Sequence, residues 1–392
     1  MSMTNTIHWL GAGLSSAPGI IELAKQTISK ATPIIVWNRS LEKAKQTLKN
    51  DDVEIDIRQL DWEAITSTVK QGDVLVSMLP ATMHLTVAKL CLTHQAHFVS
   101  SSYISPEMLA LHSQAKASGL CFVNEVGLDP GIDHLLAHLL VDSYQSSPQF
   151  SPKNQHYFRS YCGGFPKVAN DFKYKFSWSP LGVLKALRSK AQWQADGVVK
   201  TSNAPWEALS EYQAQLSHGN ETFQAYPNRD SLPFIKQYNF QDDWNIQQFV
   251  RGTLRLNGWS TAWQPLFDEI AQLEGESGEQ RLKKLSNELE NKYSYAPDEA
   301  DRVVMCVELE IRQKDKAIWH QSYHLDSQGN EQGQAMARLV SLPVSLAIES
   351  VLNQQIPVGV SAAPEKPEHI NQWLSALTDF GESICHHNHL IK

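Results

Sequence analysis

The chain has 392 residues, a hydrophobic fraction of 42%, eleven Trp and a formal net charge of -8 at pH 7. This length suits two or three domains with their own cores, and this composition excludes a wholly disordered chain. The acidic balance, together with the lack of a long Lys/Arg run, excludes nucleic acid and an anionic membrane surface as the main partner. Small molecules are therefore the expected partners.

The cysteines and the start of the sequence predict a cytoplasmic protein. The five cysteines are scattered and odd in number, so free thiols in a reducing compartment are expected. The first residues, MSMTNTIHWLGAG, contain no basic region followed by a long apolar run. The sequence also lacks the roughly 18 continuous apolar residues of a membrane helix. We therefore expect no membrane partner.

Short apolar runs alternate with amphipathic stretches over residues 1–125. Strands are predicted at residues 7–10, 33–37, 53–57, 73–79, 97–100 and 120–123. Helical periodicity lies between them, as in GIIELAKQTIS and SLEKAKQTLK. This alternation is typical of a parallel sheet covered by helices, so a doubly wound, Rossmann-like domain is predicted.

A second α/β domain is predicted over residues 126–364. Beyond Pro152 the sequence becomes rich in aromatic residues, Gly and Pro, as in YCGGFP and YPNRDSLPF. Residues 262–293 are charged and helical, without long heptad regularity. DRVVMCVELEIRQ and AIWHQSYHL alternate like paired antiparallel strands, and QAMARLVSLPVSLAIESVL predicts a buried helix with a kink or break at Pro343.

The stretch HWLGAGLSSAP follows the first predicted strand and opens a helix. Gly11 permits a tight turn, Gly13 permits a close approach of the backbone, and Leu14 and Ser15 continue the loop. Backbone N–H groups at such a helix start can bind the pyrophosphate of a dinucleotide. Because Ser16 replaces the third glycine of the usual motif, a turn without a ligand stays an alternative.

The end of the second strand, VWNRS, discriminates between dinucleotides. NAD-binding domains usually carry Asp or Glu here, whereas this chain has Asn38, Arg39 and Ser40. Arg39 can pair with a 2′-phosphate, and Asn38 and Ser40 can donate to it, so NADP is predicted over NAD. An exposed arginine that merely opens a helix is the alternative. Pro80 and His84, in SMLPATMH, are predicted to lie near the nicotinamide.

The segment NEVGLDPGIDH, residues 124–134, follows the sixth predicted strand. Asp129 before Pro130 predicts an N-cap and first-turn pair for the next helix. The segment also lies at the predicted carboxyl edge of the sheet, which makes Asp129 a candidate site acid. Asp133 and His134 are then expected to orient it.

With these segments in view, the chain resembles the saccharopine dehydrogenases that form glutamate. The segments that carry the resemblance, in family order, are SSYISPEM, NEVGLDPGIDH, SYCGGFP, YKFSWSPLGVL, AYPNRDS, VRGTLR and AMARLVSLPVSLAIESVL. The resemblance implies a variant Rossmann domain, an α/β substrate-binding domain with a reduced helical insertion at about 183–295, and a homodimer. Residues 365–392 are expected to join the first domain.

The reaction implied by the resemblance is reversible. Saccharopine is oxidised by NADP at its secondary amine to an imine, which water splits into glutamate and 2-aminoadipate 6-semialdehyde. Such chemistry needs a base beside the nitrogen and an acid–base group at the imine carbon. By resemblance, Tyr103, Asp129 and Cys162 occupy the catalytic positions. Cys162 is expected to line the site, because no covalent step is required.

The three carboxylates of saccharopine call for fixed cations, and a guanidinium binds a carboxylate bidentately. The substrate contacts implied by the resemblance are Tyr103, Ile104, Asp129, Arg229, Thr253 and Arg255. Arg251 and Arg255 alternate along a predicted strand and face one side. A salt bridge to Asp230, Asp242 or Asp243 is the alternative for one of these arginines.

Three other interpretations stay open. His134 and His138 are spaced i, i+4, and residues 385–389 read CHHNH, but neither matches HExxH, so no metal is expected and the tail is predicted to be an exposed, frayed terminus. A related imine reductase of polyamine metabolism, such as carboxynorspermidine dehydrogenase, is disfavoured because a polyamine would need acids. A non-catalytic cofactor-binding protein is disfavoured because Tyr103 and Asp129 are both present.

Overall fold

The computed structural model describes residues 5–28, 32–49 and 53–390. Residues 1–4, the start of the first predicted domain, lie outside the described residues. The strands in chain order are β1 (Ile7–Leu10), β2 (Ile34–Asn38), β3 (Asp56–Gln59), β4 (Val74–Ser77), β5 (His97–Val99), β6 (Cys121–Val123), β7 (Gln155–Pro166), β8 (Ala191–Ala195), β9 (Val198–Ser202), β10 (Ser210–Leu216), β11 (Gly219–Pro227), β12 (Asn245–Arg255), β13 (Asp301–Gln313), β14 (Lys316–Gln328), β15 (Gly359–Ser361) and β16 (Ile384–Asn388). The α-helices are α1 (Ala17–Ile28), α2 (Leu41–Thr47), α3 (Trp62–Thr68), α4 (His84–His94), α5 (Pro106–Leu109), α6 (His112–Ala117), α7 (Ile132–Gln145), α8 (Pro180–Leu187), α9 (Pro233–Gln237), α10 (Trp259–Ala271), α11 (Gly275–Tyr293), α12 (Ala335–Leu352) and α13 (Pro367–Asp379).

The chain packs as two compact units, each built from two segments. The first unit contains Met1–Leu135 and Ala337–Glu365, and the second contains Leu136–Met336 and Lys366–Lys392. The expectation that residues 365–392 join the first domain is therefore wrong, because β16 pairs antiparallel with β14 of the second unit. Residues 337–365 belong to the first unit instead, where β15 pairs parallel with β6.

The sheet of the first unit is parallel throughout its described part. Its strand order is β15-β6-β5-β4-β1-β2-β3. The order from β3 to β6 is that of a Rossmann domain, which confirms the predicted doubly wound fold. All four residues of β1 and of β4 are buried, as expected of strands covered by helices on both faces.

Helix α1 packs closely on α12 within the first unit. A Cβ at Gly19 would meet the Ser341 carbonyl oxygen at 2.2 Å, so only glycine fits there. The Gly19 N–H donates to Ser341 Oγ at 2.9 Å, and Ser345 Oγ donates to the Gly19 carbonyl at 2.8 Å. Gly19 thus provides the close packing that the third glycine of a dinucleotide motif usually provides.

Helix α12 is continuous through Pro343, so the predicted break does not occur. Among the described residues it is also the one helix that is long and apolar enough to cross a membrane. However, 83% of that apolar window is buried within the protein. Such burial is typical of the core helix of a folded domain.

The second unit contains a mixed sheet in the order β10-β11-β12-β7-β13-β14-β16, with β8 paired to β12 and β9 to β8. The β12–β7 pair is parallel and the other pairs are antiparallel. The expected helical insertion at about 183–295 is corrected, since β8 to β12 lie inside it. Only α8, α10 and α11 form a helical layer there, packed around Trp259, Trp263 and other aromatic side chains.

Candidate active site

Gly11 and Gly13 of the first loop differ in whether the fold itself needs a glycine at that position. Gly11 has φ +98°, and a Cβ there would meet the Met78 carbonyl oxygen at 2.8 Å. Gly13 is exposed, and a Cβ there would meet no atom within 4 Å. The fold therefore requires Gly11, whereas the described residues leave open space at Gly13, where a bound group could approach the backbone.

Side-chain hydrogen bonds hold this loop in place. Ser16 Oγ donates to the Gly11 carbonyl at 3.1 Å. Asn38 Oδ1 accepts from the Ala12 N–H at 3.1 Å, and Asn38 Nδ2 donates to the Ser40 carbonyl at 2.8 Å. Both ends of the Asn38 amide are thus bonded to the protein. We revise its expected role from a phosphate donor to a residue that fixes the glycine loop.

The strand end after β2 presents a positive charge. Arg39 is exposed, and the described residues show no carboxylate paired with its guanidinium. Its neighbour Arg58, by contrast, is paired with Asp56 at 2.6 Å. Ser40 caps α2 by accepting a hydrogen bond from Lys43 N–H at 3.4 Å. The residues present therefore suit a 2′-phosphate at Arg39 better than a ribose diol.

The remaining predicted cofactor contacts differ in accessibility. Leu14 is 57% exposed, Pro80 is exposed and Ser15 is partly buried. His84 is buried, with Nδ1 2.8 Å from Ser77 Oγ and Nε2 2.8 Å from Ser102 Oγ. Burial lowers the pKa of His84 to about 4. Because both nitrogens bond to serines, we now expect this neutral imidazole to support the loop and not to hydrogen-bond to a cofactor.

Two of the predicted catalytic residues lie together in the first unit. The Tyr103 hydroxyl donates to Asp129 Oδ1 at 3.1 Å, and both side chains are partly buried. Asp129 is not the N-cap of α7, which corrects that prediction. The helix begins at Ile132, after a cis Asp129–Pro130 peptide bond. Asp133 Oδ1 instead accepts from the Gly131 N–H at 2.7 Å, so Asp133 takes the capping role next to Asp129.

Glu125 is a candidate site residue that the sequence alone did not predict. Its side chain is buried, and Oε1 accepts a hydrogen bond from the Ile104 N–H at 3.0 Å. Its Oε2 lies 3.1 Å from His134 Nε2, and His134 Nδ1 lies 3.5 Å from Asp133 Oδ2. One carboxylate thus connects the loop that carries Tyr103 with the helix that follows Asp129. The signal for it was the polar pair Asn124 and Glu125 inside the otherwise apolar run CFVNEVGL.

Arg255, at the end of β12, lies inside an aromatic cage. It is 6% exposed, and its guanidinium carbon lies 5.0 Å from the ring centre of Tyr174, 5.5 Å from that of Tyr226 and 5.4 Å from that of Trp259. Burial raises the pKa of the Tyr174 and Tyr226 hydroxyls, against the opposing charge of Arg255, so the cage itself is neutral.

The guanidinium of Arg255 is incompletely satisfied. Its Nη1 donates to the Leu254 carbonyl at 3.1 Å, whereas its buried Nε has no hydrogen-bond partner. Across the described ranges no Asp or Glu forms an ion pair with it, so the salt-bridge alternative does not apply to Arg255. A buried cation without an acid calls for an anion from outside the chain.

The other predicted substrate contacts of the second unit lie on β12 or on segments near it. Arg251, Thr253 and Arg255 alternate along β12, and Thr253 lies opposite Cys162 of β7. Cys162 is buried, Thr253 is partly buried and Arg229 is exposed with φ +54°. Arg251 is buried with its guanidinium carbon 3.9 Å from the Phe234 ring centre. The structure thus places Cys162 and Thr253 on adjacent strands.

Comparisons with known proteins identify the family and the fold. Two family models match the chain: the saccharopine dehydrogenase NADP binding domain over residues 7–123, and the saccharopine dehydrogenase C-terminal domain over residues 127–381. A solved structure, apo saccharopine dehydrogenase (L-Glu forming) from Saccharomyces cerevisiae, superimposes with a TM-score of 0.78 and 26% identity, covering 98% of this chain and 99% of that one. Homospermidine synthase from Legionella pneumophila has the same fold, with a TM-score of 0.61 and 11% identity over 98% of this chain and 92% of that one.

Curated relatives extend beyond the chain. The saccharopine dehydrogenase [NADP(+), L-glutamate-forming] of Pyricularia oryzae is 35% identical over 272 residues, which cover 68% of this chain and 57% of that protein. The alpha-aminoadipic semialdehyde synthase of Arabidopsis thaliana is 34% identical over 235 residues, which cover 58% of this chain and 21% of that protein. The chain spans less than two thirds of the length of either relative. Because the two family models together match nearly the whole sequence, the chain belongs to the saccharopine dehydrogenase family.

Proposed function

We propose that this protein is a saccharopine dehydrogenase, which reversibly converts saccharopine to glutamate and 2-aminoadipate 6-semialdehyde with NADP. The observation that carries the proposal is Arg255, a buried guanidinium with an orphaned Nε and no acidic partner in the described part of the chain. A substrate carboxylate would supply the missing acceptor and the missing charge. The family membership makes saccharopine the expected carrier of that carboxylate.

NADP is the proposed cofactor, and it would accept or deliver the hydride at the amine carbon. The loop around Gly11 and Gly13, with Leu14 and Ser15, would hold its pyrophosphate through backbone N–H groups. Arg39, exposed and without a carboxylate partner in the described segments, would pair with its 2′-phosphate. Pro80 stays a proposed contact near the nicotinamide.

Tyr103 and Asp129 are the proposed proton-handling pair. Imine formation requires a deprotonated secondary amine, because its lone pair forms the new C=N bond as the hydride leaves. The Asp129 carboxylate can accept that proton, while its hydrogen bond from Tyr103 fixes the position of one oxygen. The same pair can then deliver a proton to the nitrogen of glutamate as water splits the imine.

The further substrate contacts are proposed from the resemblance and their positions. Ile104 follows Tyr103 and is held by Glu125 through its N–H, so its backbone is fixed beside the proposed proton donor. Thr253, Arg229 and Arg251 would assist Arg255 in binding the remaining carboxylates, and Cys162 would line the site without reacting. We also propose a homodimer and a cytoplasmic location. The mouse relative is named as mitochondrial, so the location needs its own measurement.

The test is an assay of the purified protein with saccharopine and either NADP or NAD. Absorbance of the reduced nicotinamide is followed while glutamate is measured independently. We expect one glutamate to be released for each NADPH formed. Turnover should be slower with NAD, because Arg39 then has no 2′-phosphate to bind. Carboxynorspermidine serves as the comparison substrate and should not be oxidised. Absence of reduction with both cofactors would overturn the proposal, and a preference for NAD would overturn the role of Arg39.

A further inference from the structure

Four histidines gather on one face of the second unit's sheet, where the sequence predicted a frayed tail. We call them the imidazole cluster: His320 and His324 of β14, and His387 and His389 at the end of the chain's last strand. In the β14–β16 register Ser322 lies opposite His387, and the His389 N–H donates to the His320 carbonyl at 3.0 Å. Because side chains alternate along strands, all four imidazoles surround Ser322 on the same face.

The four rings form two close pairs. Ring centres are 4.0 Å apart for His320 and His389, and 4.9 Å apart for His324 and His387. His389 lies 6.4 Å from both His324 and His387. Imidazoles that bind one tetrahedral zinc through bonds of about 2.1 Å have ring centres roughly 5 Å apart. The separations within the two pairs are close to that value, whereas His389 must turn towards His324 and His387 for the rings to share one ion.

Two nitrogens in the cluster lack partners. His324 Nδ1 and His387 Nε2 are buried atoms without a hydrogen-bond partner, and His324 is only 4% exposed. Burial, and then the neighbouring His387 and His389, lower the pKa of His324 to about 4. Burial and His320 likewise lower the pKa of His389. Neutral imidazoles with available lone pairs are the form that binds a metal.

Carboxylates beside the cluster orient it without adding net charge. His320 Nε2 lies 2.6 Å from Glu308 Oε1, and Glu308 also accepts from Arg159 at 3.0 Å. Ligand atoms of Glu308, Glu310 and His320 lie within 4.8 Å of one another. Glu310 is paired with Arg312 at 2.6 Å. The two arginines balance the two glutamates, so Glu308 is suited to fix the His320 ring as a supporting carboxylate and not to bind the ion itself.

From these contacts we propose that the imidazole cluster binds one divalent transition-metal ion, of which Zn²⁺ is the simplest probe. Imidazole nitrogens select Zn²⁺, Ni²⁺ and Cu²⁺ over Mg²⁺ and Ca²⁺, which require oxygen ligands. Ser322 Oγ, now 2.7 Å from His389 Nε2, would exchange that hydrogen bond for a metal bond at His389. The bound ion would tie β16 to β14. The inference does not depend on the proposed enzymatic activity.

The experiment uses the full chain without a histidine tag, stripped of metal by a chelator. Zn²⁺ is titrated by calorimetry, with Mg²⁺ as a second titrant, and Co²⁺ absorbance reports on tetrahedral geometry. We expect one Zn²⁺ per chain, no heat with Mg²⁺ and an intense visible Co²⁺ spectrum. Less than half an equivalent of Zn²⁺ bound at micromolar protein would overturn the proposal.

Single variants distinguish Zn²⁺ binding at the folded cluster from non-specific Zn²⁺ binding by the histidine-rich segment at residues 386–389. His324→Asn and His387→Asn should each weaken Zn²⁺ binding at least tenfold, although His324 lies on another strand. His386→Asn is the matched control, because His386 faces Tyr323 and Gln321 on the opposite side. It should bind Zn²⁺ like the wild type. Equal loss in His386→Asn and His387→Asn, or no loss in His324→Asn, would contradict the proposal.

Melting temperatures with and without Zn²⁺ show whether a substitution removes the metal site or damages the fold. Zn²⁺ should raise the melting temperature of the wild type and of His386→Asn, because a ligand bound only by the folded chain stabilises it. It should not raise that of His387→Asn, whose metal-free melting temperature shows whether the substitution alone perturbs the strand. A wild type that Zn²⁺ fails to stabilise would count against the site.

Discussion

At the scale of single residues, Arg255 combines deep burial with an unsatisfied donor. Its guanidinium is held by three aromatic rings and one carbonyl, and no acid of the described chain neutralises it. Burying a charge in this way costs free energy that a purely structural residue would not recover. This combination supports the proposal that Arg255 binds a substrate carboxylate.

Arg255→Lys tests this explanation. Lysine keeps the charge and the apolar stem but loses the planar fork, so one charge-assisted hydrogen bond of about 1.5–3 kcal/mol is lost. We expect the KM for saccharopine to rise roughly ten- to a hundredfold, with NADP affinity and melting temperature nearly unchanged. Steady-state kinetics and thermal melts measure these quantities. Arg281→Lys, at a partly exposed position on α11 of the second unit, is the control. An unchanged KM would remove Arg255 from the site.

Glu125 illustrates a residue that acts through others. It bonds to the backbone of Ile104 and lies against His134, so it positions the segments on both sides of the Tyr103–Asp129 pair. Such an acid is hard to recognise from sequence, because the motif around it is as well explained by Asp129 alone. Its partner His134 is separated from it by a loop whose path the sequence does not predict.

Glu125→Gln should lower kcat about tenfold and leave the KM for saccharopine nearly unchanged, because displaced reacting groups cost rate more than binding. The neutral amide can still accept from the Ile104 N–H but no longer places a negative charge beside His134. A fall in kcat without a rise in KM is the readout that a general structural defect would not produce. Glu63→Gln, exposed on α3, is the control. Wild-type kcat in Glu125→Gln, or a loss of kcat that is matched by a fall in melting temperature, would contradict the positioning role.

At the scale of elements, strong periodicity predicted the structure and weak periodicity did not. The alternating run DRVVMCVELEIRQ is observed as β13 over the same residues, and IHWL as β1. The third strand, expected at 53–57, lies instead at Asp56–Gln59, where most side chains are exposed and no buried face marks the boundary. The strand at Ile384–Asn388 was missed because ICHHN lacks apolar alternation and owes its form to pairing with β14.

Substitutions of Gly19 in α1 and of Gly13 in the preceding loop should affect different properties, the stability of the fold and the binding of NADP. Gly19→Ala should lower the free energy of unfolding by about 1–3 kcal/mol, because its Cβ would overlap the Ser341 carbonyl of α12. Gly13→Ala should leave the melting temperature unchanged, since its Cβ enters open space. It should nevertheless weaken NADP binding about tenfold, if the pyrophosphate approaches this backbone. Thermal melts and cofactor titration decide the matter, and equal melting temperatures for both variants would contradict the packing argument.

At the scale of the whole molecule, buried histidines make the free energy of unfolding depend on pH. Burial lowers the pKa values of His84, His156 and His324 to about 4, below the 6.5 of an exposed histidine. Between these values the unfolded chain binds more protons than the folded chain, so the free energy of unfolding rises with pH. Glu308 extends the effect below pH 4.5. Although burial alone would raise its pKa, the hydrogen bond from His320 and the charge of Arg159 hold it at about 2.

The melting temperature should therefore fall between pH 6.5 and pH 4. The expected drop from pH 7 to pH 5 is roughly 5 °C or more, since each pKa unit corresponds to about 1.4 kcal/mol and each kcal/mol to about 2–4 °C. Calorimetry at constant ionic strength measures it. His324→Gln should show a shallower dependence, whereas His94→Gln, partly exposed on α4, should not. A flat melting temperature over this range would contradict the assignment of buried neutral histidines.

The division of the chain was predicted only in part. Local patterns placed a boundary near residue 125, because strand–helix alternation ends there. They could not show that residues 337–365 return to the first unit, since β15 has only three residues and its partner β6 lies more than two hundred positions earlier. Pairing over such a distance leaves no local signal. The same holds for the cage around Arg255, whose rings come from three separate segments.

The return of β15 to β6 has a consequence for biosynthesis. Until residues 359–361 leave the ribosome, β6 has no partner on one side and remains a bare sheet edge. Unpaired edges are templates for intermolecular pairing and aggregation. The sheet of the first unit is thus completed only after residue 361 has been translated, more than two hundred residues after β6, although domains generally fold in order of synthesis. A nascent chain stalled anywhere between the two strands would expose that edge to its neighbours.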